Sequence, residues 1–223
     1  MLGVIVNTLA VLIGSFFGLI FKNKISEKYI SSIMGGIGLC TLSLGISGTL
    51  KGENPLILIG SIILGTFLGE FLDLDGKIKK LVPKNSSGNF STAFITSSLL
   101  FTMGAMTIIG SLNAGLTGDN KMLYTKSFLD LISSLMLSAT LGIGVIFSSI
   151  FVFIFQGLLV LSAKFLEPIL TERTIGEITS VGSLAIIALG LNIIGLSKFK
   201  VANFLPAIIF VPILMELEKY IVL

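Results

Sequence analysis

Long apolar stretches without charge recur along the chain, and short segments rich in lysine separate them. A membrane-spanning helix needs about 20 consecutive apolar residues, and several of the uncharged stretches match that length. The pattern therefore predicts an all-α, polytopic transmembrane helical bundle, with residues 1–223 forming a single transmembrane domain. The clearest predicted spans are residues 1–21, 29–50, 54–69, 90–113, 178–197 and 201–215.

The stretch 131–163 contains 33 residues without a charge. As one helix, with about 1.5 Å of rise per residue, it would be about 50 Å long, whereas the hydrocarbon core is about 30 Å thick. Gly142 and Gly144 lie near its middle, and glycine destabilises a helix interior by about 1 kcal/mol relative to alanine. We therefore predict a break at these glycines and eight spans in total. One long tilted helix, giving seven spans, is the alternative.

The loops between the first spans differ in their lysine content. Loop 22–28 carries three lysines and loop 73–89 carries four, whereas loop 51–53 carries one. Because cytoplasmic loops are enriched in Lys and Arg, we predict that the two lysine-rich loops face the cytoplasm. The eight-span arrangement then places both termini outside. Segment 1–21 lacks the basic start of a signal peptide, so we interpret it as a retained first span.

Composition supports a bilayer environment and narrows the chemistry. The chain is 53% hydrophobic and 12% charged, with a mean hydropathy of +1.03, whereas soluble proteins carry about 25% charged residues. It contains no histidine and one cysteine, Cys40, so a Ser-His-Asp triad, a Cys-His pair and a Cys/His zinc site are excluded. We expect no catalytic, cofactor or metal site. The net charge of +3 favours a membrane surface as partner, and we expect no nucleic acid.

Two parts of the sequence resemble each other. Segment 4–9 is similar to segment 145–150, and Leu44-Gly45 with Asn54-Pro55 is similar to Leu189-Gly190 with segment 203–206. Spans 1–3 would then match spans 6–8. An odd number of crossings separates matching spans, so the two sets would have opposite orientations, as in the inverted repeats of secondary transporters. Chance similarity between apolar segments is the alternative.

Two GxxxG motifs place small residues on one face of spans 1 and 3. They are Gly14 with Gly18 and Gly65 with Gly69. Such faces let two helix backbones approach closely in lipid. The motifs predict helix packing within the subunit or between two copies, and we expect a homodimer assembled through these faces.

Segment 104–119 combines glycines with hydroxyl and amide side chains. Its glycines are Gly104, Gly110, Gly115 and Gly118. This composition predicts an interrupted helix with unwound backbone that faces a cavity instead of lipid. The candidate residues for lining that cavity are Thr107, Ser111, Asn113 and Asp119.

Asp130 is the only acid between Lys126 and Lys164. A carboxylate at the centre of a span costs at least about 2.5–3.5 kcal/mol, so it should face protein, water or a partner. On a helix, Asp130 would contact Lys126 and share a face with Ser133 and Ser134. These groups predict an ion or proton site, because hard cations prefer oxygen ligands. An ion pair of Lys126 with Asp130 at the membrane interface is the alternative.

Three amide side chains, Asn7, Gln156 and Asn192, lie deep in apolar spans. Each amide needs a partner there, so we expect each to hydrogen-bond across helices. The glycine-flanked segment around Asn192 resembles segment 107–110, which suggests that both face one cavity. We therefore include Asn192 among the candidate pathway residues.

Several of these segments are similar to one known family. They are the opening segment 3–8, the central segment 104–111, the turn 115–119, Lys126-Ser127 followed by Asp130, and segment 140–145 with Gln156-Gly157. Over its full length the chain resembles the YqgA/YdfK-type family of small bacterial integral membrane proteins, classed as of unknown function. The resemblance implies a multi-pass protein of the bacterial inner (plasma) membrane, often regarded as a transporter, without a known substrate.

We predict that the protein moves a small ion or polar solute across the lipid bilayer. The predicted pathway residues are Thr107, Ser111, Asn113, Asp119, Lys126, Asp130, Ser133, Ser134 and Asn192. A non-transporting structural or assembly protein, whose polar groups serve helix packing, is the alternative. An intramembrane enzyme is a third hypothesis, but the side chains left for it are Ser with Lys or paired acids at a membrane edge, so we expect no enzyme.

Overall fold

The computed structural model describes residues 1–22, 27–80 and 90–221, and every regular element in these ranges is helical. The prediction of an all-α bundle is therefore confirmed. The elements are α1 (Leu2–Lys22), α2 (Glu27–Thr49), α3 (Pro55–Phe71), α4 (Leu74–Lys80), α5 (Phe90–Thr102), α6 (Ala105–Leu116), α7 (Lys121–Leu141), α8 (Gly144–Leu161), α9 (Ala163–Leu166), α10 (Glu172–Ile193), a 3-10 helix (Val201–Phe204) and α11 (Ala207–Ile221).

Within the described ranges, five helical segments are long and apolar enough to cross a membrane, and the bent pair α5 and α6 is a sixth candidate. The five lie in α1, α2, α8, α10 and the segment 201–218. Of the remaining predicted spans, α3 is a shorter apolar helix and α7 carries Lys126 and Asp130 in its interior. The number of membrane crossings therefore stays a prediction.

The predicted break in the stretch 131–163 is present. Helix α7 ends at Leu141 and α8 begins at Gly144. Between them Gly142 has a φ of 95°, a left-handed conformation that glycine adopts without the steric cost of a Cβ. The single long helix of the seven-span alternative is not formed.

The chain also breaks at Gly104, where α5 and α6 meet at an angle of 59°. The predicted interruption of this span is confirmed at that point. The prediction of unwound backbone beyond it is wrong, because residues 105–116 form α6. Gly115 explains part of this, since a Cβ there would lie 2.4 Å from the Val160 carbonyl oxygen. The glycine lets α6 pack closely against α8 instead of unwinding.

The chain folds into two compact units. Unit 1 comprises Met1–Ile37 and Val82–Glu167, and unit 2 comprises Gly38–Leu81 and Pro168–Leu223. Each unit is therefore assembled from two separate stretches of sequence.

In unit 1 the GxxxG motif of α1 packs directly on α7. A Cβ on Gly14 would lie 2.3 Å from the Leu131 carbonyl oxygen, and one on Gly18 would lie 2.2 Å from that of Leu135. Residues with higher numbers in α1 contact residues with higher numbers in α7, so the two helices run parallel. Helix α8 runs antiparallel to α1, because Val4 clusters with Val160 whereas Val11 clusters with residues 145 and 152.

In unit 2 the second GxxxG motif packs on the start of α11 and the 3-10 helix before it. A Cβ on Gly65 would lie 2.2 Å from the Ala207 backbone nitrogen, and one on Gly69 would meet the Asn203 carbonyl. Both motifs are thus covered inside the chain. The expectation that they form a homodimer face is wrong, because each is already filled by another helix of the same chain. The oligomeric state itself stays a prediction.

Within unit 2, the helices that the repeat matches pack antiparallel to each other, as opposite orientations require. Gly45 of α2 lies against Ile187 of α10, and Gly190 of α10 lies against Leu42 of α2. The repeat aligns residue 45 with residue 190, and therefore residue 42 with residue 187. A two-fold rotation that exchanges the two helices turns one of these contacts into the other. The packing therefore supports the inverted repeat.

A second reciprocal contact joins α3 and α11. Asn54, before α3, donates a hydrogen bond of 2.7 Å from Nδ2 to Glu218 Oε1 near the end of α11. Asn203, before α11, donates from Nδ2 to Glu70 Oε2 near the end of α3. The repeat aligns these two asparagines, so aligned residues have the same role.

A cation completes each of these reciprocal contacts. Arg173 donates to Glu218 at 3.0 Å, and Lys200 forms an ion pair with Glu70. The hydrogen bond to Glu70, followed by its coulombic attraction, raises the pKa of the Lys200 ammonium group. At each end of the antiparallel pair α3 and α11, a glutamate therefore accepts a hydrogen bond from an asparagine of the other helix region and also binds a cation.

The fit of α1 against α7 predicts a large difference between two glycine substitutions. Gly18→Ala should lower the free energy of unfolding by about 1–3 kcal/mol, because its Cβ would overlap backbone of α7. Gly36→Ala on α2 is the matched control, since a Cβ there meets nothing within 4 Å; it should raise stability by about 0.5–1 kcal/mol. Unfolding of the purified variants in detergent measures both. Equal stability of the two variants would contradict the packing.

The eight-span arrangement predicts from which side of the membrane a thiol reagent reaches the turns at residues 117 and 143. In a Cys40→Ser background, Ile143→Cys should react from the cytoplasmic side and Thr117→Cys from the outside, because eight spans place these exposed turns on opposite faces. Labelling of intact cells and inverted vesicles with a membrane-impermeant maleimide measures this. Failure of residue 143 to react from either side would indicate a turn held within the membrane.

Candidate functional site

Four helices of unit 1 meet at a small apolar cluster. Val4 of α1, Ala114 of α6, Leu123 of α7 and Val160 of α8 are buried together there. Contacts between Gly3 and Leu123 and between Gly115 and Val160 fix the same register. Residues 4, 114, 123 and 160 therefore lie at a similar height along the four packed helices.

One helical turn from the cluster, each of the four helices carries a buried polar side chain. Asn7 lies three residues after Val4, Lys126 three after Leu123, and Gln156 four before Val160. Because α8 is antiparallel to α1 and α7 is parallel to it, these three steps lead in the same direction. Ser111 of α6 is also buried, one turn before Ala114, and its neighbour Gly110 lies against Leu123. We call Asn7, Ser111, Lys126, Asp130 and Gln156 the polar layer.

An ion pair lies in this layer. Lys126 Nζ is 2.9 Å from Asp130 Oδ1 and 2.8 Å from Oδ2, and the two residues are only 7% and 5% exposed. Asn7 crosses from α1 and donates from Nδ2 to Asp130 Oδ2 at 3.1 Å. The ion pair of Lys126 with Asp130, which is the alternative to an ion or proton site in the sequence analysis, is present, and the expected bond across helices from Asn7 is confirmed.

Three residues of the polar layer carry buried polar atoms without a hydrogen-bond partner. They are Asn7 Oδ1, Ser111 Oγ and both side-chain polar atoms of Gln156, and all three residues are 0% exposed. A buried polar atom left unpaired costs about 1–3 kcal/mol. The expectation that Gln156 hydrogen-bonds across helices is therefore wrong. Its amide instead keeps unused donor and acceptor capacity inside unit 1.

The neighbouring hydroxyl groups have local partners. Thr107 Oγ1 donates to the Phe101 carbonyl oxygen at 3.1 Å, which satisfies backbone at the break before α6. Ser134 Oγ donates to the Leu131 carbonyl oxygen at 3.0 Å and lies against Gly14. Ser133 is exposed whereas Asp130 and Ser134 are buried, so the expectation that Ser133 joins them in one site is wrong. At about 100° per residue, Ser133 lies about 60° from Asp130 on one side and Ser134 about 40° on the other.

Asn113 and Asp119 lie at the turn between α6 and α7. They line a cavity of about 330 Å³ together with Met106, Lys121, Met122 and Thr125. Asp119 also accepts a hydrogen bond of 3.0 Å from the Lys121 backbone nitrogen. Thr125 directly precedes Lys126 in α7, but Thr125 is exposed whereas Lys126 is buried, so the two side chains lie on different faces of the helix.

Asn192 has a different role, in unit 2. Its Nδ2 donates to the Phe199 carbonyl oxygen at 2.8 Å, and its Oδ1 accepts from Ser197 Oγ and the Phe199 backbone nitrogen. These bonds hold the loop that follows α10. The expectation of a bond across helices is therefore wrong for Asn192, because its amide is engaged within seven residues of its own position.

One buried carboxylate, Glu177 of α10, is absent from the residues predicted from the sequence. Its Oε1 accepts hydrogen bonds of 2.7 and 2.8 Å from the backbone nitrogens of Glu53 and Asn54, and Oε2 has no partner. The sequence could have indicated this residue, because Glu177 immediately precedes the uncharged stretch 178–197. Within unit 2 it holds the loop between α2 and α3.

Comparison with known proteins places the chain in a family. The family model described as "Protein of unknown function (DUF554)" matches residues 2–216. The chain belongs to the DUF554 family. The uncharacterized membrane protein YdfK of Bacillus subtilis (strain 168) is 35% identical over 217 residues, which cover 96% of this chain and 95% of the relative. The uncharacterized protein YqgA of Escherichia coli (strain K12) is 30% identical over 219 residues, covering 93% of each.

No solved structure matches this DUF554 chain. The relative YdfK is named a membrane protein, in agreement with the apolar helices described above, and the chain is a membrane protein. The resemblance to the YqgA/YdfK-type family is confirmed over nearly the whole length.

The buried ion pair of Lys126 with Asp130 in this DUF554 protein predicts that substitutions of the two residues have non-additive effects on stability. Lys126→Met or Asp130→Leu alone should destabilise the protein by about 3–5 kcal/mol, because each leaves an unpaired charge in an apolar interior. The double variant should recover most of that loss. Unfolding in detergent, in a buffer whose cation is choline, measures the cycle. Additive losses would show that water reaches both charges separately.

Proposed function

We propose that this DUF554 protein carries a small ion or polar solute across the membrane, using the polar layer of unit 1 as its binding site. The observation that carries the proposal is the buried Lys126–Asp130 pair, bonded to Asn7, together with the buried unpaired oxygens of Asn7, Ser111 and Gln156 on helices that pack against one another. A group that enters the layer would find hydrogen-bond partners and charge together. Lipid supplies neither.

The energetics of the layer favour a function over a purely structural role. A buried ion pair is weak evidence for stability, because apolar side chains of similar volume are often equally stabilising. In a membrane, an ionisable residue at depth costs several kcal/mol and commonly marks a path for ions or substrates. The unpaired amide of Gln156 adds a further cost. These costs are explained when a transported species binds there.

We take the cavity at the turn between α6 and α7 as the proposed point of entry, because Asn113 and Asp119 line it and it opens on the exposed side of α7 at Thr125. In the eight-span orientation this turn faces the outside, so a solute would enter from that side. We further propose multi-pass insertion in the bacterial inner membrane, and assembly as a homodimer through a surface other than the GxxxG faces.

A structural or assembly role is the second candidate, and the hydroxyl groups favour it. Ser127 donates to the Leu123 carbonyl oxygen and Ser148 to that of Val145, each within its own helix. Such bonds satisfy the hydroxyl group without a ligand. Under this hypothesis the protein would form no route for solutes.

Flux through reconstituted protein distinguishes the two candidates. Proteoliposomes should dissipate a gradient of Na⁺, K⁺ or chloride faster than protein-free liposomes. Asp130→Asn should slow that flux by about tenfold or more, because it removes a charge-assisted bond worth about 1.5–3 kcal/mol. Ser133→Ala on the exposed face of α7 is the control and should match the wild type. Isotope uptake measures all three proteins.

If Asp130→Asn carries the wild-type flux, Asp130 has no place in the mechanism. If no probe moves through any of the proteins, while crosslinking in cells recovers a stable protein partner, the structural role replaces transport.

A further inference from the structure

The polar layer is electrically neutral, because Lys126 and Asp130 are its only charged members. Among the described residues, helices α1, α5, α6 and α8 carry one charged side chain, Lys22, which lies beside Gly142 at the other end of α7. The nearest charges along the chain are those of Asp119 and Lys121, and both residues are exposed. The Lys126 ammonium group therefore acts as the local counter-ion of Asp130.

The unpaired atoms of the layer are mainly oxygens. Asn7 donates from Nδ2 to Asp130, so its Oδ1 on the same amide remains a free acceptor. Ser111 Oγ and Gln156 Oε1 add two more neutral oxygens, and Asp130 adds a carboxylate. Oxygen atoms are the ligands that hard cations prefer, whereas an anion would need several N–H donors.

The charge of the layer indicates the charge of the cation. One carboxylate with neutral oxygens balances a single positive charge, as Lys126 does at 2.8 Å. Within the described residues, no group of three or more acids, histidines or cysteines is placed to hold a metal ion, as a tightly bound divalent cation would favour. The ligand set therefore matches a monovalent alkali cation.

We infer that the polar layer is a binding site for a monovalent alkali cation, and that the Lys126 ammonium group occupies this site as a tethered competitor. This inference rests on the proposed function and names its substrate class. Binding of Na⁺ or K⁺ to Asp130 requires Lys126 to leave, because both together would add an uncompensated charge to a buried site. The long lysine stem lets the ammonium group withdraw from Asp130.

The competition predicts an increase in cation affinity when Lys126 is removed. Lys126→Met leaves Asp130 without its counter-ion, so Na⁺ or K⁺ should bind about tenfold or more tightly than in the wild type. Binding should also stabilise the variant. The melting temperature of Lys126→Met should rise by roughly 5–10 °C at a hundredfold excess of cation over Kd, relative to choline at equal ionic strength.

Two further variants isolate the site. The double variant Lys126→Met with Asp130→Leu should show no difference between alkali cations and choline, because it lacks the carboxylate. Gln156→Leu in the Lys126→Met background should weaken cation binding, whereas Ser133→Ala in that background should leave it unchanged. Isothermal titration and thermal unfolding of the purified full-length protein in detergent provide the readouts.

The outcomes separate this inference from the transport proposal. If Lys126→Met responds equally to alkali cations and choline, the cation site is wrong, even when the wild type transports chloride or another solute. If the variant binds the cation but the wild type shows no flux of any probe, the site stands and transport fails. A Lys126→Met protein that does not fold in choline but folds in Na⁺ or K⁺ also supports the site.

Discussion

Hydrocarbon offers no hydrogen-bond partner, so every polar group of a membrane-embedded chain must be satisfied by the protein or by what it binds. Most groups described in unit 1 meet this constraint locally: serine and threonine hydroxyls donate to carbonyl oxygens of their own helices, and Asn7 reaches Asp130. Buried hydroxyl groups without a partner also occur elsewhere in unit 1, at Ser15, Ser91, Thr96, Ser98 and Ser138. The polar layer differs from them because it combines unpaired amide atoms with a buried ion pair.

Glycine makes the layer geometrically attainable. Gly14 and Gly18 bring the backbones of α1 and α7 into contact, and that approach sets the register in which Asn7 meets Asp130. In lipid, such close packing replaces the hydrophobic effect as a source of helix association. The GxxxG motif therefore contributes to the site without supplying any of its chemistry.

The inverted repeat is strongest in unit 2. Asn54 and Asn203 precede helices that run in opposite directions, and each binds a glutamate near the end of the other helix. Aligned residues with equivalent partners are stronger support for a repeat than similarity between apolar segments, because apolar composition alone does not place a hydrogen bond. Unit 1 adds the antiparallel pair α1 and α8, which the same alignment matches.

The sequence by itself determined the membrane environment, the helical class, an interruption within segment 104–119, the break near Gly142 and the contact of Lys126 with Asp130 along one helix, since these follow from composition and from spacing. Only the tertiary structure decided which partner each amide side chain binds. Asn7 joins Asp130 across 123 positions, Gln156 stays unpaired, and Asn192 turns to its own loop. Spacing along a helix fixes which face a side chain occupies, whereas its partner depends on the register between helices, which close packing sets.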